Sequence, residues 1–550
     1  MGSLPDHLPR SVSDTGVREA LAAGDIDHLE EAFDVLWYEL PTRFGPEILA
    51  AVGGLDASTF LRRPRLMHLT LLAHCERSSL GEDPPLGKML QLFRTHGRHY
   101  ASRLTDFDDP SDLRSAGTIA MIAARLDGAY RRADTLGTWL DDRLNALETR
   151  TMLPWAPHHI RTKPGWLSAQ RGLTATLGGD LDYAVRLFTS AFTEAGTAPF
   201  GHFAGANAAA NLALIAAVRG HVDIARTWIA RMEGTGPLPD WIEHLTTLGA
   251  KIAAALIAID EGDPTLAKHH LDRVGPGTQH VELWPFIVYV RATYDAFFGD
   301  PHAGLVELEA ARLTHGALGG TGHETARLLL RSEAKLLLRA PNATRVLNLA
   351  DEHQENFPPQ YAAWAQLYGN RPHQAVRTAA RALRQTAVRL PLNDLIELHA
   401  ALAVAHLRSG RTEQATAAFQ SAVRLRASPA HVQPFLNAPR DDVAQLAGLA
   451  GVVDPLLSVS AGARTTSASE VTIVELTPRE MVVLRSLDHG DTAVATAQKF
   501  GVSPATVRSQ VASIYRKLGV SGRSAALARA HELGLLSNRP SPGERRARSG

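Results

Sequence analysis

From about Ala20 to Leu449 the apolar stretches read as helix after helix, separated by short turns. One signature recurs along this stretch. A small residue ends a helix, and alanine follows five positions later inside the next. Gly128 and Ala133, Gly179 and Ala184, Gly220 and Ala225, Gly262 and Ala267, and Gly410 and Ala415 are spaced this way. Gly299 and Gly304 form a weaker copy, and Gly369 to Ala375 is one residue longer. Glycine tolerates the left-handed conformation that closes a helix, and the alanine lets the next helix lie close to its neighbour.

Between 179 and 299 the glycines stand 41, 42 and 37 residues apart. A period near 40 with two helices per unit predicts stacked helical hairpins. Leu212–Ile229 (LALIAAVRGHVDIARTWI) holds helix, glycine turn and second helix in one stretch. Roughly 120–430 resembles degenerate tetratricopeptide-like repeats, although the usual aromatic positions are mostly missing. An irregular all-helical domain is the alternative. After Val453 the pattern stops, and Ser458–Ser469 (SVSAGARTTSAS) has the small, polar composition of a flexible linker.

Beyond the linker, Leu476–Leu536 predicts four short helices. Thr477 is an N-cap, Pro478 takes the first helical position and Glu480 completes a capping box, with Val483, Leu484 and Leu487 as the buried stripe. A second helix begins at Thr492, carries Ala497 and Phe500 inward and ends at Gly501, with Val502 packed beneath the turn. Ser503 caps a third helix, with Pro504 at its first position. There Val507, Val511, Ile514 and Leu518 form one apolar face. Arg508, Ser509 and Ala512 point the other way, and Arg516 and Lys517 extend the basic surface. A short helix, a glycine turn and a helix with a bare polar face suit insertion into the DNA major groove.

This segment resembles the LuxR-type helix-turn-helix family. The matching blocks are Leu476-Thr477-Pro478-Arg479-Glu480, Gly501-Val502-Ser503, Thr506-Val507-Arg508 and Ile514-Tyr515-Arg516-Lys517-Leu518-Gly519-Val520, with Ala528-Arg529-Ala530 and Glu532-Leu533-Gly534-Leu535 closing the domain. The resemblance implies base contacts from Arg508, Ser509 and Ala512, and phosphate contacts from Thr506, Gln510 and Lys517. Tyr515 and Arg516 complete the expected DNA-binding set, and the fourth helix, Ser524–Leu533, is expected to make a dimer contact. The second helix departs from the usual Asn-Lys-Glu-Ile-Ala, reading Ala493-Val494-Ala495-Thr496-Ala497, so Thr496 stands where a core isoleucine is usual. Gln510 replaces a usual histidine, and Val482 a usual glutamate.

Helical repeats followed by such a module resemble the large MalT-like regulators, which carry an ATP-binding domain before the repeats. Here no Gly-x-x-x-x-Gly-Lys-Ser/Thr occurs; Leu86-Gly87-Lys88-Met89 is the nearest text and lacks the hydroxyl. No strand–loop–helix alternation suggests a phospho-receiver domain. The expected organisation is an all-α chain. It comprises an N-terminal helical region (1–119), tetratricopeptide-like repeats acting as sensor (120–450), a flexible linker (451–471), a LuxR-type domain (472–537, helix-turn-helix 493–512) and a disordered basic tail (538–550).

Charge agrees with this division. Equal numbers of basic and acidic residues, 57 of each, hide an asymmetry: from Leu476 onward there are twelve Lys and Arg against five Asp and Glu. A basic end on an acidic chain points to an anionic partner. The one cysteine, Cys75, excludes an intramolecular disulfide and fits a cytoplasmic location. No membrane-spanning run is expected, Ala204–Val218 being the closest candidate and interrupted by Asn207 and Asn211. Neither His158-His159 nor His269-His270 has ligand spacing, since adjacent helical residues diverge by about 100°. No nucleophile motif or phosphate loop marks an enzyme, and no cofactor or metal is expected. The sequence therefore reads as a cytoplasmic transcription regulator, favouring activation. It would bind double-stranded DNA as a homodimer, contact RNA polymerase and receive an unknown small-molecule or protein effector at the repeats. The rival reading is a helical-repeat interaction scaffold whose terminal module binds DNA weakly or not at all.

Overall fold

In a computed structural model the described residues are 13–79, 86–151, 163–196, 202–275, 282–315, 324–354, 356–386, 390–426, 428, 430–454 and 473–536. Among them there are helices and turns and no strand. Most of the expected linker, the basic tail and the His158-His159 pair lie outside the described residues. The chain divides into two compact units. One comprises the spans 1–259, 263–291 and 309–329, the other 260–262, 292–308 and 330–550.

Glycine and alanine behave as their spacing predicts. Gly128, Gly179, Gly220, Gly262 and Gly410 all have positive φ, between 70° and 93°. The alanines five positions later, Ala133, Ala184, Ala225, Ala267 and Ala415, are all fully buried. The longer spacing at Gly369 has a simple cause. Gly369 has an ordinary φ of −81°, and Asn370 takes the left-handed conformation instead (φ 55°), five residues before the buried Ala375. Asparagine is among the few residues with a side chain that enter this region readily.

Each turn is followed by a side-chain cap where the sequence allows one. Asp180 accepts from the Tyr183 N–H at 2.9 Å and Asp263 from the Leu266 N–H at 2.9 Å. Successive helices then pack against one another in chain order. In the first unit Trp166–Gly178, Leu181–Ala195, His202–Val218 and Val222–Glu233 follow one another in this way. In the second, Pro359–Tyr368, Pro372–Thr386, Leu392–Arg408 and Thr412–Arg424 do the same. Small apolar positions carry the packing; Ala400, Ala401, Ala403 and Ala405 are all buried on a single helix.

The second unit also buries charge. Arg331 forms a two-pronged pair with Asp394, one contact measuring 2.6 Å. The segment after Thr412–Arg424 runs into the interior, where His431 to Leu436 are all buried. Arg339 donates to the Leu436 carbonyl at 3.3 Å, Tyr368 to the Asn437 carbonyl at 2.6 Å, and Gln433 to Glu397 at 3.2 Å. Burial pushes the Glu397 carboxyl up to about 8, against the pull of Lys335 and Arg331. Among the described residues one helix, Asp240–Asp260, is long and apolar enough to cross a membrane, a candidate the hydropathy pattern did not single out. Of its most apolar window 72% is buried inside the protein.

Candidate nucleic-acid interface

The terminal module has a core of its own. Val474, Val483, Leu484, Ala497, Val507, Ile514 and Leu518 pack with Ala526, Ala530 and Leu533. Its four helices are Pro478–Asp488, Ala493–Phe500, Pro504–Leu518 and Arg523–Glu532. The expected capping box is complete. The Glu480 N–H donates to Thr477 Oγ1 at 3.2 Å, and the Thr477 N–H donates to Glu480 Oε2 at 2.7 Å. Thr492 and Ser503 cap the next two helices, each accepting from the N–H three residues on, at 3.2 and 3.1 Å. Gly501, at φ 64°, makes the turn between them.

Two inward placements expected from sequence are corrected. Phe500 and Val502 are each 43% exposed, so neither is core. The helix Ala493–Phe500 has only eight residues and buries only Thr496 and Ala497, so its last turn faces solvent. Thr496, in place of the usual isoleucine, is fully buried, and its hydroxyl pairs with Ser486 Oγ at 3.0 Å. Ser486 in turn donates to Asp491 at 2.6 Å. A polar exchange in the core is thus compensated by a hydrogen-bonded chain that ends at the helix–helix turn.

The third helix turns Val507, Ile514 and Leu518 inward, with Val511 half-buried. Thr506, Arg508, Ser509, Ala512 and Arg516 are exposed, and Gln510 is half-buried. Among the described residues neither Arg508 nor Arg516 meets a carboxylate, so both charges remain available. Thr506 is engaged at the helix start, its hydroxyl 2.8 Å from Ser503 Oγ. The Tyr515 ring packs against the module core rather than standing free.

Lys517 differs from the other basic residues. Its Nζ lies 2.6 Å from Glu480 Oε2, and Ser513 Oγ donates to the other carboxylate oxygen at 2.7 Å. Burial works against the Glu480 charge, but Lys517, the Thr477 N–H and Ser513 outweigh it and hold the carboxyl at about 2. Lys517 therefore joins the first helix to the third. Sequence reasoning did not anticipate this pairing, although the capping box already places Glu480 at the first turn.

The module is also docked within its unit, against the helix Ala343–Glu352. The Val474 N–H donates to Thr344 Oγ1 at 2.9 Å. Asn348 and Asn342 donate to the Leu533 and Glu532 carbonyls at 3.0 and 3.1 Å, capping the end of the fourth helix. Asn342 also accepts from the Arg345 N–H at 3.2 Å, so one side chain caps two helices. Arg371 pairs with Glu475. The third helix takes no part in these contacts, and Ser524, Ala525 and Ala528 on the fourth helix remain exposed.

Comparison with known proteins agrees with this geometry. Residues 474–530 match the family described as bacterial regulatory proteins, luxR family. The Transcriptional regulatory protein YdfI of Bacillus subtilis (strain 168) is 40% identical over 63 residues, which cover 12% of this chain and 30% of that relative. The chain thus shares with it less than a third of the relative's length.

Proposed function

With its terminal module a luxR-family helix-turn-helix domain, we propose that this chain is a sequence-specific DNA-binding transcription regulator. The observation that carries the proposal is the third helix. It is built on a complete core and exposes Arg508, Ser509, Ala512 and Arg516 together. Arg508 and Ser509 read base edges, with Ala512 in apolar contact, and Thr506, Gln510 and Arg516 face phosphates. Lys517 adds positive potential while bracing Glu480. A homodimer formed through the exposed side of the fourth helix would place two such helices on a two-fold site. The relative is named a transcriptional regulatory protein. The preceding helices are the natural place for an effector, and activation through RNA polymerase in the cytoplasm is the favoured output.

The test uses residues 465–540, which contain the whole module core, and duplex DNA. Affinity should fall with a log–log salt slope of roughly −0.9 per phosphate neutralised. Absence of binding at low salt, with the module folded, would favour the interaction-scaffold reading instead.

A further inference from the structure

The first unit holds a cavity of about 570 Å³ where the helices Tyr130–Thr151, Trp166–Gly178 and Leu181–Ala195 meet. Its size suits a small metabolite. Three cations on three elements face it, namely Arg114, Lys163 and Arg171, and each is less than 10% exposed. Lys163 is paired with Asp34 and Arg171 with Asp141, which also lines the cavity. What this wall offers an anionic group is therefore positive potential and the further donors of these side chains, not uncompensated charge.

The backbone is shaped to present one of them. Lys163 has φ 45°, unusual for a residue with a side chain, and Gly165 follows at φ 77°. A Cβ on Gly165 would strike the carbonyl of Ala191, so this turn sits hard against the helix forming the opposite wall. Lys163 Nζ lies 3.2 Å from Asp34 Oδ1 and 4.4 Å from the centroid of the Phe33 ring. Arg171 pairs with Asp141 and donates to Tyr183 Oη at 2.5 Å. Its Nε is buried with no hydrogen-bond partner among the described residues.

The remaining wall has the opposite character. Glu194 accepts from Ser190 Oγ at 2.5 Å and from Ser168 Oγ at 3.2 Å, a carboxylate fixed by two hydroxyls. Leu144, Leu167 and Leu187 supply apolar surface between the charged groups. Cations, an anchored carboxylate and an apolar patch match a molecule with a carboxylate, an ammonium and a hydrocarbon side chain.

We propose that this cavity binds a zwitterionic metabolite of the amino-acid type, from a free apolar amino acid to a dipeptide. The carboxylate meets Arg114, Lys163 and Arg171, the ammonium meets Glu194, and the side chain covers the three leucines. This deepens the reading of the helical body as the place of signal input and rests on it only for the regulatory consequence.

The test is a titration of the full chain with each proteinogenic L-amino acid, with dileucine, and with succinate and phenethylamine as anion-only and amine-only probes. Tryptophan emission reports binding, because Trp166 lies between two lining residues and packs 5.2 Å from Trp37. A zwitterion should bind, with succinate and phenethylamine about tenfold or more weaker. Glu194→Gln should lose a similar factor, again about tenfold. Ser190→Phe, which fills the rim while leaving the Arg171 pairs intact, should abolish binding with an unchanged melting temperature. The assignment is overturned if no zwitterion binds, if succinate alone binds, or if neither substitution alters binding. Binding that leaves DNA affinity unchanged would retain the cavity and refute the helical body as the input. Failure of the full chain to bind DNA at all would refute the regulator reading and leave the cavity standing.

Discussion

Arg508 and Lys517 stand nine residues apart on one helix, yet their surroundings assign them different tasks. Arg508 is exposed and free of carboxylates, whereas Lys517 is bound to Glu480. Arg508→Ala should cost about 1–3 kcal/mol on the preferred site and relax preference at one base pair. Lys517→Ala should weaken specific and random DNA alike and also lower the melting temperature, since Glu480 loses its cation. Competition binding on both DNAs, with a thermal scan of each variant, checks the pair. Equal losses on both DNAs for Arg508→Ala would remove it from base readout. Glu397 gives a pH signature in the helical body. Its raised folded-state pKa favours the neutral acid, so its contribution is complete below the ordinary value of 4.5 and fades as pH rises through about 8. Denaturant midpoints should fall from pH 6 to pH 9, and Glu397→Gln should flatten that decline. An unchanged slope in the variant would assign the pH dependence elsewhere.

At the scale of elements, the glycine–alanine turns were legible because they are local. A left-handed residue and a buried alanine five positions on suffice, and even the Gly369 exception resolves at Asn370. Gly410→Ala should destabilise by about 1–2 kcal/mol through backbone strain alone, since nothing lies within 4 Å of the added methyl. A neutral effect in chemical denaturation would show that the turn can rearrange. The four helices of the module were equally legible from caps and spacing. Phe500 and Val502 were misplaced because apolar identity does not say where an eight-residue helix runs out of neighbours. The docking was invisible for a different reason. Asn342 and Asn348 sit about 190 residues before the carbonyls they cap, and no local pattern marks a donor for a distant helix end. Asn342→Ala removes two caps and should cost about 1–2 kcal/mol. It should also separate the unfolding of the module from that of its unit in calorimetry. A single unshifted transition would mean the docking contributes nothing.

For the whole molecule, the candidate site divides along the same line. The exposed face of the third helix follows from helical spacing, whereas the cavity depends on Arg114, Lys163 and Arg171 meeting from separate elements. The same holds for the buried Arg331–Asp394 pair, whose partners stand 63 residues apart on separate helices. If the body senses and the module reads, ligand and DNA must alter each other's affinity by one common factor, typically worth ~1–3 kcal/mol. The central claim is nonetheless simpler, that the third helix of this chain reads DNA sequence. Selection of bound duplexes from a random pool, run with the full chain and with Arg508→Ala, addresses it most directly. The account predicts an enriched motif with two-fold symmetry, degraded by the substitution at one base pair in each half-site. Recovery of no motif, or of the same motif from both proteins, would contradict it.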